Sequence, residues 1–497
     1  MNAWDYYKEL LESDIDTINT ELVKKKSDYW EEIGQNKALE VFHEAASRVP
    51  AYGDFLKKNK IDHKRIRSIK DFKEVPEIDK KNYLNLYPLK ELCWDGDISK
   101  INVIAVSSGS TGNPYFWPRD IWQELEVDFH YNLLLKYLFN SDKKTTLQVI
   151  VLAMGMYIAG PFTFSSSLRF ALKGNPLTIT TPSTDIEAAL SVIKNLASQF
   201  EQVLICGYPP LVKEIIDIGA RQGLDWSKYN MKFTFGGEGF SEKWRDYIHE
   251  KINTEDVYAT TINLYGTADA SVLGIETPMS ISFRRILAND KDKRLKYLGD
   301  ERLPSIVSYN PIIKYFEKTN NGDLLFTSSS GLPVIRYRIG DSGGIVKYDE
   351  LKNVVAPVKG YPDWKLPVVY LFGRSDNTVQ VYGANVYPDN IKEALFDEGI
   401  CDLITGRFLI SIKYRENLDT YLNIEVELAP DVNSASVLKK KIEETITNHL
   451  IKNNSEYEVI FKTVGVKAIP SIELVKYRDE RFKYNIKPKW IEGVNKK

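Results

Sequence analysis

Between Asn102 and Gly237 short β-branched runs alternate with helical patterns, and this alternation constrains the fold more than any other feature. INVIAV (101–106) is a β-run, followed by a helical pattern from about Ile121 to Phe139. Next come QVIVLA (148–153), a helix near Ser165 to Leu172, LTITT (177–181) and a helix from Asp185 to Ala197. QVLICG (202–207), a helix from Leu211 to Gln222 and MKFTFGG (231–237) complete the series. Strands separated by helix-length patterns need crossover connections, so an α/β fold with a parallel or mixed sheet covered by helices is expected.

The flanks have other textures. From Trp4 to about Tyr87 the pattern is helical: Leu39, Phe42, Ala46 and Val49 recur at helical spacing, and Pro50 is expected to stop that run. Asp323 to Tyr348 is β-rich (DLLFTSS, GGIVKY), as in a smaller sheet or barrel. After Gly373–Arg374 a separate α+β module is expected: TVQVYG, a helix at Pro388 to Leu395, FLISIKY, YLNIEVEL, a helix at Ala435 to Leu450 and a strand at Glu458 to Val464. The expected division is a large domain over 1–373, whose first hundred residues form a helical extension, and a small lid over 374–497.

Composition removes several classes of function. The 66 basic and 68 acidic side chains leave a net charge of −2, without the basic excess of a nucleic-acid binder. A chain 43% hydrophobic and 27% charged is not disordered. Three cysteines (Cys93, Cys206, Cys401) exclude a disulfide framework and fit a reducing cytoplasm. The histidines are scattered without zinc spacing, and His130 and His249 read as surface residues on helical patterns. The apolar stretch Leu147 to Phe164 is nearly long enough for a membrane span. It reads instead as a buried strand running into a Gly/Pro-interrupted pocket wall. The opening MNAWDYYKELLESDIDT has no basic region before an apolar core, so it is not a secretory signal.

Ser107-Ser108-Gly109-Ser110-Thr111-Gly112-Asn113-Pro114 follows a β-run and precedes a helical pattern. Its glycines permit a sharp turn, and its small residues expose N–H groups and hydroxyls, which is how a chain cradles phosphate oxygens. The spacing is not that of the NTPase P-loop. On these residues alone a phosphate loop and a plain surface turn stay open.

The octet resembles the phosphate loop of the acyl-adenylate-forming superfamily, and an ordered set of further boxes extends the resemblance. Asn263-Leu264-Tyr265-Gly266-Thr267-Ala268-Asp269 is similar to its Y-G-x-[ST]-E box. Arg336-Tyr337-Arg338-Ile339-Gly340-Asp341 is similar to Y-R-T-G-D, and Gly373-Arg374-Ser375-Asp376-Asn377 to the G-R-x-D-D hinge. VPAYGDFLKKNKIDHKRIRSIKDFKEVPEIDKKNY, Phe235-Gly236-Gly237-Glu238 with Ser241 and Arg245, and Gly383-Ala384-Asn385-Val386-Tyr387-Pro388 with Ile391 resemble the phenylacetate–CoA ligase branch.

The resemblance implies ATP-dependent conversion of a carboxylic acid to acyl-AMP with release of pyrophosphate, then acyl transfer to a thiol. ATP, Mg²⁺ and coenzyme A would be the cofactors, with a carrier-protein phosphopantetheine or an amine as alternative acceptors. Ser107 to Gly112 would hold the phosphates, with Thr111 as the hydroxyl donor. Tyr265, followed by Gly266 and Thr267, would lie against the adenine. Gly236 and Gly237, beside Glu238, would admit the base edge, Asp341 would accept from the ribose hydroxyls, and Arg374 would lie near the ribose or α-phosphate. Asp269 would hold the metal, and Lys487, with Lys483 and Lys489 as competitors, would be the catalytic lysine of the small domain. Tyr265 as core and Asp341 as a turn cap are the plain structural alternatives.

The acid pocket would be walled by Tyr157, Ala159, Gly160, Phe162, Tyr208 and Pro209, with Gly155, Ala159 and Gly160 leaving room for an aromatic or otherwise flat acid. The same aromatics packing the core is the alternative. Three departures stand out: Ala268 lacks the hydroxyl, Asp269 is one methylene shorter than Glu, and Asn113 stands where that branch often has Lys. A non-catalytic nucleotide-binding protein on the same scaffold therefore stays open. No membrane span and no nucleic-acid partner are expected, and a homodimer is compatible with the sequence.

Overall fold

The computed structural model describes residues 1–107, 115–155, 158–374, 379–381, 384–414, 420–433 and 436–482. Among them, eleven strands form one mixed sheet. Its parallel half runs in the order Leu177–Thr180, Thr146–Val151, Gln202–Gly207, Met231–Phe235, Thr261–Thr267. Every residue of Thr146–Val151, Gln202–Gly207 and Met231–Phe235 is buried, as strands covered by helices on both faces require. Ser271–Ile275, Ser305–Ser308, Val368–Arg374, Val334–Val346, Asp323–Ser328 and Tyr315–Lys318 continue the sheet antiparallel.

The α/β expectation holds, but the β-rich stretch 323–348 is not a separate smaller sheet or barrel. Val334–Val346 pairs its first part with Asp323–Ser328 and its second with Val368–Arg374, so the hydrogen-bond ladder continues without a break into the central sheet. The run that Pro50 is expected to stop does stop there: Ser27–Arg48 ends at an extended Val49, and Pro50 begins another helix, Pro50–Lys58. A first-turn proline loses an N–H that has no partner within the helix.

Asp120 caps the Ile121–Leu133 helix by accepting from Gln123 N at 3.1 Å. That helix is packed between Ala3–Glu12 and Ile15–Lys24 on one side and Ala159–Leu172 on the other. His130 is consequently buried, not a surface residue, and its Nδ1 lies 2.8 Å from Glu126 O. His249 is buried as well, with Nε2 3.0 Å from Thr261 Oγ1. Burial lowers both imidazoles to about 4, so they are neutral at pH 7. Among the described residues no helix is long and apolar enough to cross a membrane.

The C-terminal module has its own three-stranded sheet: Ile404–Tyr414 antiparallel to Thr420–Leu428, which is parallel to Ser471–Val475. Val381, Ile391, Ile410, Ile424 and Ile442 share one core there. The expected strand at 458–464 is a helix, Ser455–Val464. Asn454 caps it by accepting from Tyr457 N at 3.0 Å, which starts a helix despite the β-branched residues that follow.

Candidate functional site

The two boxes around residues 265–269 and 337–341 meet in space and exchange hydrogen bonds. Tyr265 OH donates to Asp341 Oδ2 at 2.6 Å. Tyr337 OH donates to Asp269 Oδ2 at 2.7 Å. Each tyrosine thus serves the carboxylate of the other box, across separations of 76 and 68 residues. All four side chains are buried. Burial, with the Asp269 charge and hydrogen bond, pushes the Tyr337 phenol well above its usual value, so it remains a donor. Tyr265 packs in the core cluster that contains Trp117, Phe326 and Tyr337, so its ring is a core ring as well as a neighbour of Asp341.

Thr267 Oγ1 accepts from Ala270 N at 3.2 Å and closes the hairpin between Thr261–Thr267 and Ser271–Ile275, while Gly266 is exposed. Lys80 Nζ lies 3.7 Å from Asp269 Oδ2 and 5.6 Å from the Trp117 ring. On the sheet, Asp341 stands opposite Arg374 in the pairing of Val334–Val346 with Val368–Arg374. The described backbone of Ser107 ends Val103–Ser107, opposite Tyr115 in an antiparallel hairpin with Tyr115–Arg119. The Ser/Gly/Thr segment therefore links two strands, and the helix begins only after the second. The run Tyr115-Phe116-Trp117 is a stronger strand former than helix starter, which is why the expected strand-to-helix junction is displaced.

A second cluster lies at the carboxyl ends of the parallel strands, where open α/β sheets bind ligands. Gly236 and Gly237 follow Met231–Phe235, and Tyr208 and Pro209 follow Gln202–Gly207. Gly237 has φ +87°, and a Cβ there would come within 2.7 Å of the Tyr208 ring. A Cβ on Gly236 would meet nothing within 4 Å, so open space adjoins this backbone. Burial pushes the Tyr208 phenol up to about 12. Glu238 is buried and accepts from Lys392 Nζ of the Pro388–Leu395 helix at 3.2 Å. Burial raises the Glu238 carboxyl, and the Lys392 charge opposes that rise. Pro209, Glu238, Phe240, Trp244, Lys392 and Phe396 line a cleft between this edge of the sheet and the C-terminal module.

The expected acid-pocket wall divides. Ala159 and Gly160 open the Ala159–Leu172 helix, and a Cβ on Gly160 would come 2.4 Å from Ala153 O and 2.7 Å from Met154 Sδ. Gly160 therefore leaves no room for a ligand; it lets the helix start close against the preceding turn. A Cβ on Gly155, at φ +88°, would meet nothing within 4 Å. Phe162 is buried in the core, and the Arg119 guanidinium lies 3.5 Å from its ring centroid. Tyr157, Ser108 to Gly112 with Thr111, the side chains of Ser107 and Arg374, and Lys483, Lys487 and Lys489 lie outside the described residues.

Arg245 has a different place from the site. It is fully buried and binds Glu276 at 2.7 Å and Glu242 at 3.0 Å, and it donates to Thr261 Oγ1 at 2.9 Å. Arg284 also binds Glu242. Burial alone would raise the Glu242 carboxyl, but Arg245, Arg284 and Arg285 hold it at about 2. Sequence reading passed over Tyr337, Lys80 and Lys392 as working residues. The first two lie inside quoted boxes, whereas Lys392 carries no sequence signal beyond its position on a helix. Among the described residues, no group of three His, Cys, Asp or Glu side chains is placed to hold a metal ion.

No protein-family model and no curated protein matches the chain. Solved structures do match its fold. A 2-hydroxyisobutyryl-CoA ligase in the postadenylation state, in complex with R3-HIB-AMP, aligns with a TM-score of 0.67 at 15% identity, covering 93% of this chain and 89% of that one. The same ligase in complex with 2-HIB-AMP and CoA in the thioesterification state aligns at 0.54 and 16% identity, covering 95% and 92%. An acyl acid amido synthetase in complex with 2,4-DB aligns at 0.59 and 14% identity, covering 93% and 89%. The chain shares the fold of this ligase and of the amido synthetase, the fold that its ordered boxes led one to expect.

Proposed function

We propose that the protein activates an aromatic or otherwise flat carboxylic acid with ATP and passes the acyl group to a thiol, with coenzyme A as acceptor. The carboxylate oxygen attacks the α-phosphorus, the bond to pyrophosphate breaks, and acyl-AMP forms. The thiolate then attacks the acyl carbon, AMP departs and the thiol proton is released. A carboxylate is a poor electrophile and repels a triphosphate, so the first step needs fixed donors, cations and near-attack positioning.

The observation that carries this reading is the crossed pairing of Tyr265 with Asp341 and Tyr337 with Asp269. It holds together two carboxylates that the chemistry needs apart in role, Asp341 for ribose hydroxyls and Asp269 for a phosphate-bound cation. The contacts to Asp269 use Oδ2. A hard carboxylate such as that of Asp269 would suit Mg²⁺, with phosphate oxygens as further ligands. When bound, that ion neutralises charge on the phosphates. Lys80, close to Asp269, brings a cation to a site where Asn113 removes one. Gly236 and Gly237 would admit the adenine edge, Arg374 would meet the ribose or α-phosphate, and Lys487 would approach from the small domain.

In this reading residues 1–373 and 374–497 are two domains, and the second turns about Asp376–Asn377 between the half-reactions. The better overlay on the ligase in its postadenylation state than on its thioesterification state supports a C-terminal module placed as for the first step.

ATP–pyrophosphate exchange across aromatic, aliphatic and amino acids tests the proposal. Exchange with at least one acid, lost on Lys487→Ala, is the expected result. Ala268 favours a second reading, a nucleotide-binding protein without catalysis. Nucleotide binding with no exchange across the whole panel would establish it. A thioester assay offering CoA, a phosphopantetheinyl carrier protein or an amine then identifies the acceptor.

A further inference from the structure

We propose that Tyr337 is the positioning residue of Asp269, and that it supplies from the 336–341 box the hydroxyl that Ala268 withholds from the 263–269 box. This rests on the adenylation reading and concerns how its cation is held.

Asp269 follows directly on the end of Thr261–Thr267, in the two-stranded corner that Thr267 Oγ1 closes. Ala268 beside it is buried and has no hydrogen-bonding side chain. The hydroxyls of its own turn do not fix Asp269: Thr267 Oγ1 accepts from Ala270 N, and Ser271 Oγ is buried with no hydrogen-bond partner among the described residues. Tyr337 provides a hydroxyl from across the site. Its phenol is about 1% exposed, and its ring is wedged between Trp117, at 6.1 Å, and Phe326, at 5.5 Å between centroids. A ring clamped on two sides holds its hydroxyl at a defined point, and a hydrogen bond to a charged acceptor is among the stronger ones. With Oδ2 engaged at 2.7 Å, the carboxylate plane is set and Oδ1 is the oxygen left for a cation. Tyr265 is the internal comparison. It is the same residue type with a hydrogen bond of 2.6 Å against 2.7 Å, but it serves Asp341, which the metal does not need.

Mn²⁺ binding, read by electron paramagnetic resonance in the presence of α,β-methylene-ATP, tests this without turnover. Tyr337→Phe should retain the fold by circular dichroism and weaken Mn²⁺ binding in that ternary complex by roughly tenfold to a hundredfold. Its exchange activity should show a raised Mg²⁺ requirement with an unchanged KM for the acid. Tyr265→Phe should instead raise the KM for ATP and leave the Mn²⁺ affinity unchanged. In an Asp269→Asn background, Tyr337→Phe should cost no further Mn²⁺ affinity.

Unchanged Mn²⁺ affinity in Tyr337→Phe, or equal losses in both Tyr→Phe variants, overturns the positioning role. If Tyr337→Phe does not fold, Asp269→Glu gives the same reading, because its carboxylate overshoots the Tyr337 hydroxyl by one methylene. Weaker Mn²⁺ binding in Asp269→Glu supports the proposal, and unchanged or tighter binding overturns it. Failure of the unmodified chain to bind Mn²⁺ with the analogue refutes the adenylation reading itself. Normal binding there with no effect of Tyr337→Phe refutes only the role of Tyr337.

Discussion

The Glu242–Lys251 helix carries charge on two faces, and the two are built for opposite ends. Its inner face turns Glu242 and Arg245 into a buried network with Arg284 and Glu276, which Arg285 extends to the surface. Its outer face offers Lys243 to Asp397 and Lys251 and Tyr247 to Asp402, across to the C-terminal module. The charged side chains of that outer face are about a third to a half exposed. A buried ion network is strongly destabilised by loss of one member, because the partners keep their charge without water. Exposed pairs contribute little, since water substitutes for either partner. The inner face is a permanent joint. The outer face is a joint that can be made and broken at low cost, which suits the rotation proposed for the C-terminal module.

This contrast can be broken at its strongest point first. Arg245→Ala removes the ion-pair partner of Glu276 and one of the three arginines on Glu242, and should lower unfolding free energy by about 3–5 kcal/mol, read as a lower denaturant midpoint. Acid should act on the same face. Glu242 is held at about 2, below its ordinary 4.5, so its contribution is complete above pH 4.5 and lost as pH falls through about 2. That contribution is on the order of 3 kcal/mol. His130 and His249, lowered by burial from 6.5 to about 4, act earlier: stability is full above pH 6.5 and falls as pH approaches 4. Thermal melts between pH 7 and 2 should therefore decline in two overlapping stages, and Glu242→Gln should flatten the lower one.

Lys392 lies between the two extremes. Its pair with Glu238 bridges sheet and module as the outer pairs do, yet both side chains are largely buried. Lys392→Met should cost about 1.5–3 kcal/mol by leaving a buried carboxylate unserved. Lys243→Ala should cost less than about 1 kcal/mol, and a double-mutant cycle with Asp397 should find a coupling no larger. A larger coupling there than at Lys392 would reverse the ordering of the two faces.

The parallel half of the sheet was legible because its strands are short apolar runs spaced by helix-length patterns, which periodicity reports directly. Of the antiparallel half only Asp323–Ser328 and the end of Val334–Val346 were legible as β, and not as part of the same sheet, since pairing across Val334–Val346 is a long-range choice that local pattern does not encode. His130 was misplaced for the same kind of reason. Polar spacing on Ile121–Leu133 reads as a solvated face, and only the packing of the N-terminal helices over it makes that face interior. Residues 458–464 show the reverse case, where β-branched composition reads as a strand and the Asn454 cap starts a helix instead. Of the candidate site, the boxes singled out Asp269, Tyr265 and Asp341, which the structure brings together. That each tyrosine serves the other box was not legible, because a hydrogen bond between residues 68 or 76 apart leaves no trace in spacing.

The register of Val368–Arg374 has a mechanical consequence. The strand is gripped on one side by Ser305–Ser308 over residues 368–371, and on the other by Val334–Val346 as far as Arg374. Its final stretch is thus a one-sided tether, and the last rung of that tether is Asp341. Any torque that the C-terminal module exerts on the chain entering it reaches the central sheet at that rung. The carboxylate expected to grip the ribose is therefore the first fixed point to feel the lever, so under the proposed function occupancy of the nucleotide and the attitude of the module would share one anchor.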